Sequence, residues 1–288
     1  MVDGLSGKKM SKSSIAPCII CKKKTYRKWA KKDGFVARQC QNCKMISINP
    51  RPTEDELPSF YQGYNKKRKS NQVLTKQRKQ VHKIDRDWIL KFVNKGKVLD
   101  VGCSEGQFLS HFDKKKWDRY GVEVENEPAR IAKEKYGIPV KVGNIVNLSF
   151  NQKFELIILR GVIEHFSEPV KVLKKCTELL KSGGYLFITA TPAGDSFAFD
   201  VYREKWNQFL PPFHLHFFSV DLVTQVLKKL GMGLKDFHYQ YEETPYADIT
   251  KDFQKIKNDI INLTSKKKKI TTSNAFPGTM MTAVWKNE

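Results

Sequence analysis

Val98-Leu99-Asp100-Val101-Gly102-Cys103-Ser104-Glu105-Gly106 is an apolar strand running into a glycine-rich turn, and Phe108 and Leu109 start an apolar helix directly after it. Glycine lets a backbone come close to a ligand, so strand, turn and helix together form a nucleotide-binding corner. The spacing Gly102-x-x-x-Gly106 is not the Gly-x-Gly-x-x-Gly of dinucleotide enzymes, and the turn lacks the Lys-Ser/Thr of a phosphate loop. The next strand ends in Gly121-Val122-Glu123-Val124-Glu125. It places a carboxylate about twenty residues beyond the turn, where it can accept both hydroxyl protons of a ribose.

Outward from this corner, short apolar runs alternate with amphipathic segments, which is the pattern of an α/β sheet with crossover helices. Strands are expected at Val98–Val101, Tyr120–Val124, Val140–Val142, Leu156–Leu159 and Tyr185–Thr189, near Lys235–Tyr241, and at Met280–Trp285. Upstream, Val73, Val81, Ile84, Trp88, Ile89 and Phe92 are spaced for one or two linking helices, with a break at the charged run Lys66-Lys67-Arg68-Lys69. Lys266–Lys269 marks a loop before the last strand.

The cysteines are organised differently. Cys18-x-x-Cys21 and Cys40-x-x-Cys43 form two close pairs, whereas Cys103 and Cys176 stand alone as small buried residues. No apolar export signal occupies the first twenty residues and no run of eighteen apolar residues occurs, so a cytoplasmic protein without a transmembrane segment is expected. In that setting four thiolates at ribbon spacing point to structural zinc held by Cys18, Cys21, Cys40 and Cys43. The stretch Gly34-Phe35-Val36-Ala37-Arg38 between the pairs supplies a hairpin.

Residues 1–95 carry 24 of the 52 Lys and Arg but only 7 of the 30 Asp and Glu, so most of the formal charge of +22 belongs to the N-terminal third. Such an excess favours an anionic partner: nucleic acid, a phosphate-bearing substrate or an acidic membrane face. Scattered solvated lysines account for it equally well.

The segment Val98 to Gly184 resembles a class I S-adenosylmethionine-dependent methyltransferase. Asp100 to Gly106 is similar to that family's first motif, and Glu123 matches its acidic ribose ligand. Phe154 to Leu159 followed by Gly161-Val162-Ile163-Glu164-His165 resembles its fourth strand and the loop after it, and Leu179-Leu180-Lys181-Ser182-Gly183-Gly184 its turn into the fifth strand. Further out, the Cys pairs, Asn49-Pro50-Arg51-Pro52 and Phe213-His214-Leu215-His216-Phe217-Phe218-Ser219 resemble a bacterial-type subgroup with an N-terminal zinc ribbon, often associated with sugar or glycan methylation.

The resemblance implies a Rossmann-like α/β fold: a seven-stranded, mostly parallel sheet with an antiparallel last strand, plus the ribbon. The chain then divides into a flexible basic tail (1–16), a zinc ribbon (17–53), linking helices (54–95) and a methyltransferase domain (96–288). Cofactor contacts are implied for Asp100, Gly102, Cys103, Ser104, Gly106, Glu123, Asn144, Ile145 and Arg160. Asn144 stands where an Asp commonly contacts the adenine amino group, and an amide oxygen can still accept that bond.

Methyl transfer to oxygen requires alignment of the nucleophile and uptake of its proton. His214 and His165 are the candidate bases, with Tyr202, Trp206, Phe213 and Phe217 expected to line an acceptor pocket. The expected acceptor is a sugar, glycan or lipid-linked small molecule methylated on a hydroxyl, with nitrogen or carbon as lesser alternatives. An RNA acceptor docked on the basic ribbon is the alternative. Against it, Arg160-Gly161-Val162 follows the fourth strand where base-amino methylases carry Asn/Asp-Pro-Pro-aromatic, and no Cys follows the fourth or fifth strand as a nucleophile for pyrimidine carbon.

Overall fold

A computed structural model describes residues 14–53, 56, 72–265 and 270–288. The charged runs at 66–69 and 266–269, and most of the expected N-terminal tail, lie outside them.

Two sheets organise the chain. The first contains β1 (Tyr26–Lys32), β2 (Phe35–Cys40), β3 (Ile46–Ile48) and the two-residue β9 (His216–Phe217), all antiparallel and in that order. The second is built from β4 (Gly96–Val101), β5 (Trp117–Glu123), β6 (Val140–Val142), β7 (Phe154–Arg160), β8 (Leu180–Pro192), β10 (Met232–Tyr239) and β11 (Met280–Asn287). Its order is β10-β11-β8-β7-β4-β5-β6, parallel from β8 to β6, with β11 antiparallel to both its neighbours. This is the expected seven-stranded Rossmann-like sheet.

Both faces of the sheet are covered, which explains its near-continuous apolar strands. Side chains alternate across the pleat. Leu99, Val101, Ile157, Leu159, Leu186 and Ile188 enter one core, whereas Val98, Leu156, Ile158 and Phe187 enter the other. The central strands are longer than their apolar runs suggest, because the backbone ladder continues past the buried side chains. Thus β8 extends from Leu180 to Pro192 around the expected Tyr185–Thr189.

The covering helices are α1 (Gln72–Ile89), α2 (Asn126–Tyr136), α3 (Pro169–Leu179), α4 (Phe197–Tyr202), α5 (Val220–Lys228) and α6 (Ile249–Ser265). Local chemistry sets their ends. Gly137 closes α2 in the left-handed conformation at φ 64°, and Ser219 caps α5 by accepting a bond from Leu222 N at 3.2 Å.

The Cys-rich module is not an appendage. Ile46 pairs with Phe217 and Ser47 with His216, so a strand from beyond residue 200 completes its sheet. Behind that sheet, Ala30, Phe35, Ala37, Ile46 and Ile48 form one core with Phe199, Trp206, Phe209, Phe213 and Phe217. Tyr202, Trp206, Phe213 and Phe217, expected to line a pocket, are all buried in this core. Their ring area is used in packing the two regions together.

Candidate functional site

The parallel sheet changes direction at β4: β5 and β6 continue to one side, β7 and β8 to the other. In open α/β sheets the crevice at the carboxyl ends of the two strands flanking such a switch holds the ligand. Here the crevice lies between the turn after β4 and the loop after β7.

Gly102 leaves β4 at φ 78°, and a Cβ there would meet Val162 Cγ2 at 2.6 Å. Only glycine allows the turn after β4 to approach the loop after β7 this closely. Ser104 also adopts a positive φ, 49°, which directs its N–H to Glu123 Oε2 at 2.9 Å. Val124 N and Glu125 N donate to Oε1 of the same carboxylate at 2.7 and 3.2 Å. Three backbone donors thus orient Glu123, whose oxygens retain acceptor capacity for further hydroxyls. Burial pushes its carboxyl above the ordinary range despite those bonds.

Asp100 lies beneath the turn, 2% exposed, and its Oδ1 has no hydrogen-bond partner among the described residues. Burial, opposed by Arg160 and reinforced by Glu123, pushes its carboxyl up to about 7. A buried carboxylate oxygen without a donor is costly, and the ammonium of an amino-acid-bearing cofactor would supply one. The glycine cradle, the oriented Glu123 and Asp100 together fit S-adenosylmethionine.

Other expected contacts take different places. A Cβ at Gly121 would sit 2.4 Å from Cys103 Sγ, so this thiol fills the space above a glycine in β5, and burial raises its pKa. Ile145 is buried in the core, and the Oδ1 of Asn144 caps the turn after it by accepting from Val146 N at 3.1 Å. Arg160 Nε donates to Asp85 Oδ2 at 2.8 Å, with its guanidinium 5.5 Å from the Phe108 ring centroid.

Asp85 belongs to no sequence motif, although it stands four residues from both Val81 and Ile89 on the apolar face of α1. An acid in that stripe is the signal. It is fully buried and also accepts bonds from Thr189 Oγ1 at 2.8 Å and Gln240 Nε2 at 2.7 Å, joining α1, β7, β8 and the segment after β10.

The two candidate histidines come together beside the crevice. Their ring centroids are 5.0 Å apart with an interplanar angle of 71°. His165 Nδ1 lies 2.8 Å from Phe213 O, and His214 Nδ1 lies 2.7 Å from Gln208 O. A carbonyl only accepts, so each Nδ1 carries a proton and donates it to that carbonyl. Buried Glu164 joins them: one ligand atom from each of Glu164, His165 and His214 lies within 4.8 Å of the others. Leu215 N donates to Glu164 O at 2.9 Å while Leu215 O accepts from Ile48 N at 2.8 Å, so the His214 segment is clamped between this loop and the Cys-rich module. His216 is different: burial drives its pKa down to about 3 and its Nδ1 is bonded to Ser47 Oγ, which leaves it a structural neutral ring.

In the Cys-rich module the four thiols converge. Cys18 and Cys43 Sγ are 3.5 Å apart, as are Cys21 and Cys40 Sγ. A tetrahedral zinc with bonds of about 2.3 Å would set its sulfurs about 3.8 Å apart, so the four positions are compatible with a metal ribbon.

The fold and crevice are those of a methyltransferase. The methyltransferase-domain family model matches residues 74–234, and the chain belongs to that family. It is an S-adenosylmethionine-dependent methyltransferase. Among its relatives, an uncharacterized protein of Methanocaldococcus jannaschii is 30% identical over 152 residues, covering 52% of this chain and 71% of that one. A ubiquinone biosynthesis O-methyltransferase of Acinetobacter baylyi is 23% identical over 178 residues, covering 53% and 73%. The solved magnesium protoporphyrin IX methyltransferase of Synechocystis PCC 6803, with bound SAH, shares the fold with a TM-score of 0.56 at 10% identity, covering 82% of this chain and all of that one.

Proposed function

We propose that the chain methylates a hydroxyl of a small-molecule acceptor, of the sugar, glycan or lipid-linked class, in the cytoplasm. The observation that carries this is the His165–His214 pair, with Nδ1 of each ring held by a carbonyl, in and beside the loop that touches the glycine turn through Val162. Rings fixed in this tautomer can draw the proton from a bound hydroxyl as its oxygen attacks the sulfonium methyl, the C–S electron pair returning to sulfur. The relative named as an O-methyltransferase acts in the same chemical class. The Cys18, Cys21, Cys40 and Cys43 cluster holds structural zinc in this account.

No helix among the described residues is long and apolar enough to cross a membrane. The basic charge of residues 1–95 favours one alternative, an RNA acceptor. One experiment separates the two. Labelled S-adenosylmethionine is offered with sugars, phenols and phosphate-bearing glycans, while structured RNA is titrated by fluorescence anisotropy across a salt series. Transfer to a hydroxyl acceptor with a shallow salt slope for RNA is expected, because one or two phosphates release few counterions. Tight RNA binding at physiological salt with a slope of many contacts, and no small-molecule product, overturns it.

A further inference from the structure

We propose that Asp85 is a positioning residue for the methyl donor. It holds Arg160 off Asp100, so that a carboxylate oxygen and a forked guanidinium stand side by side to receive the ammonium and the carboxylate of the cofactor's amino-acid end. The inference concerns the donor alone and stands whichever acceptor the chain methylates.

The sheet brings these groups to one face. Asp100 in β4 is the register partner of Ile158 in β7, and Arg160 lies two residues further along β7, opposite Thr189 of β8. Side chains alternate along a strand, so Asp100, Arg160 and Thr189 share the face of Val98, Ile158 and Phe187, which packs with Ile89 of α1. Asp85, four residues before Ile89, is fully buried.

A guanidinium beside a carboxylate ordinarily pairs with it. Arg160 is close enough for its charge to bear on the Asp100 carboxyl, yet Oδ1 of Asp100 has no partner among the described residues. The guanidinium is drawn to Asp85 instead, with Nε donating to Oδ2 at 2.8 Å. Oδ1 of Asp85 is anchored in turn by Thr189 Oγ1 at 2.8 Å and Gln240 Nε2 at 2.7 Å, and Thr282 Oγ1 lies 2.7 Å from Thr189 Oγ1. The anchor therefore belongs to β8, β11 and the segment after β10.

Arginine presents its donors in a rigid planar fork. Binding Asp85 through Nε leaves both Nη groups without a hydrogen bond among the described residues, and the Arg160 side chain keeps 18% exposure where Asp85 has none. An amino acid carries its ammonium and carboxylate on one carbon, so its two partners must be neighbours that do not neutralise each other. Asp85 supplies that separation. Without it the guanidinium is free to pair with Asp100, which closes both places at once.

The test compares two ligands by calorimetry: S-adenosylmethionine and its decarboxylated analogue, which keeps the ammonium and sulfonium and lacks only the carboxylate. The parent is expected to bind the first more tightly by roughly 10- to 150-fold, the worth of a charge-assisted hydrogen bond to the fork. In Arg160→Gln and in Asp85→Asn the ratio is expected to collapse towards one. Arg160→Lys keeps the charge, and with it a partner for buried Asp85, but its compact ammonium cannot serve Asp85 and the cofactor together. It too is expected to lose the discrimination, and it carries the test should Asp85→Asn fail to fold. Thr282→Val loosens the network without touching the ion pair, and it is expected to melt earlier while keeping the parent's ratio. A parent that binds both ligands equally, or an Arg160→Lys protein that discriminates as the parent does, overturns the carboxylate site. Asp85→Asn weakening both ligands by the same factor would make Asp85 merely structural and overturn the positioning role.

Discussion

His216 Nδ1 lies 2.9 Å from Ser47 Oγ, which ties the strand beside the His165–His214 pair to the last strand of the Cys-rich module. The Cys cluster and the His165–His214 pair are therefore mechanically one unit. Ser47 follows Cys43 by four residues, and Leu215, bonded to Ile48, follows His214 directly.

Cys40→Ser accordingly has two consequences. It is expected to remove bound metal, and by loosening β3 it is expected to misplace His214. A displacement of about 1 Å at a reacting group can cost about a hundredfold in rate. S-adenosylmethionine affinity should stay within about twofold, because the hydrogen bonds that orient Glu123 come from Ser104, Val124 and Glu125 and none comes from this sheet. Metal analysis, calorimetry and methyl-transfer assays on the same preparation check all three; unchanged turnover in a metal-free variant would contradict the coupling.

This coupling is also where the sequence is least legible. The glycine turn, Glu123 and the parallel strands are local patterns, each contained in fewer than ten successive residues. The pairing of Ser47 with His216 spans 169 positions and involves a strand of two residues, too short for any periodicity to register. The aromatics between Phe199 and Phe217 suggest a binding pocket when taken alone, and only the opposing face formed by Phe35, Ile46 and Ile48 makes them a core. Asp85 is a similar case: its three bonding partners, Arg160, Thr189 and Gln240, are far from it in sequence. Glu164 is likewise 50 positions from His214, and only the fold sets the two side by side.

Glu123→Ala should weaken S-adenosylmethionine binding through two losses. Each hydrogen bond from a ribose hydroxyl to the carboxylate contributes roughly 1.5–3 kcal/mol. The backbone N–H groups of Ser104 and Val124 also lose their acceptor, so the turn itself loosens. Gly102→Ala should weaken binding by another route, since its Cβ would collide with Val162 at a φ of 78°. Calorimetric titration checks both, and a Glu123→Ala protein binding as tightly as the parent would refute the ribose assignment.

Asp100 is expected to make cofactor binding sensitive to pH near neutrality. Its carboxyl is raised by burial to about 7, so in the cofactor-free protein it holds a proton that the unfolded chain releases near 3.8. Folded protein thus binds more protons than unfolded across that window, and the contribution of Asp100 to stability falls as pH rises through it. Cofactor binding has the opposite sign. The ammonium of S-adenosylmethionine favours ionised Asp100, so affinity should rise with pH and level off above about 7. At pH 6 about a tenth of the carboxyl is ionised, and the dissociation constant should be about tenfold larger than at pH 8. Asp100→Asn removes the titrating group while keeping its shape, so this variant should bind more weakly at pH 8 and lose most of the pH dependence. Calorimetry at both pH values checks the parent and the variant. A parent whose affinity is flat between pH 6 and 8 would show that the cofactor's ammonium is held elsewhere.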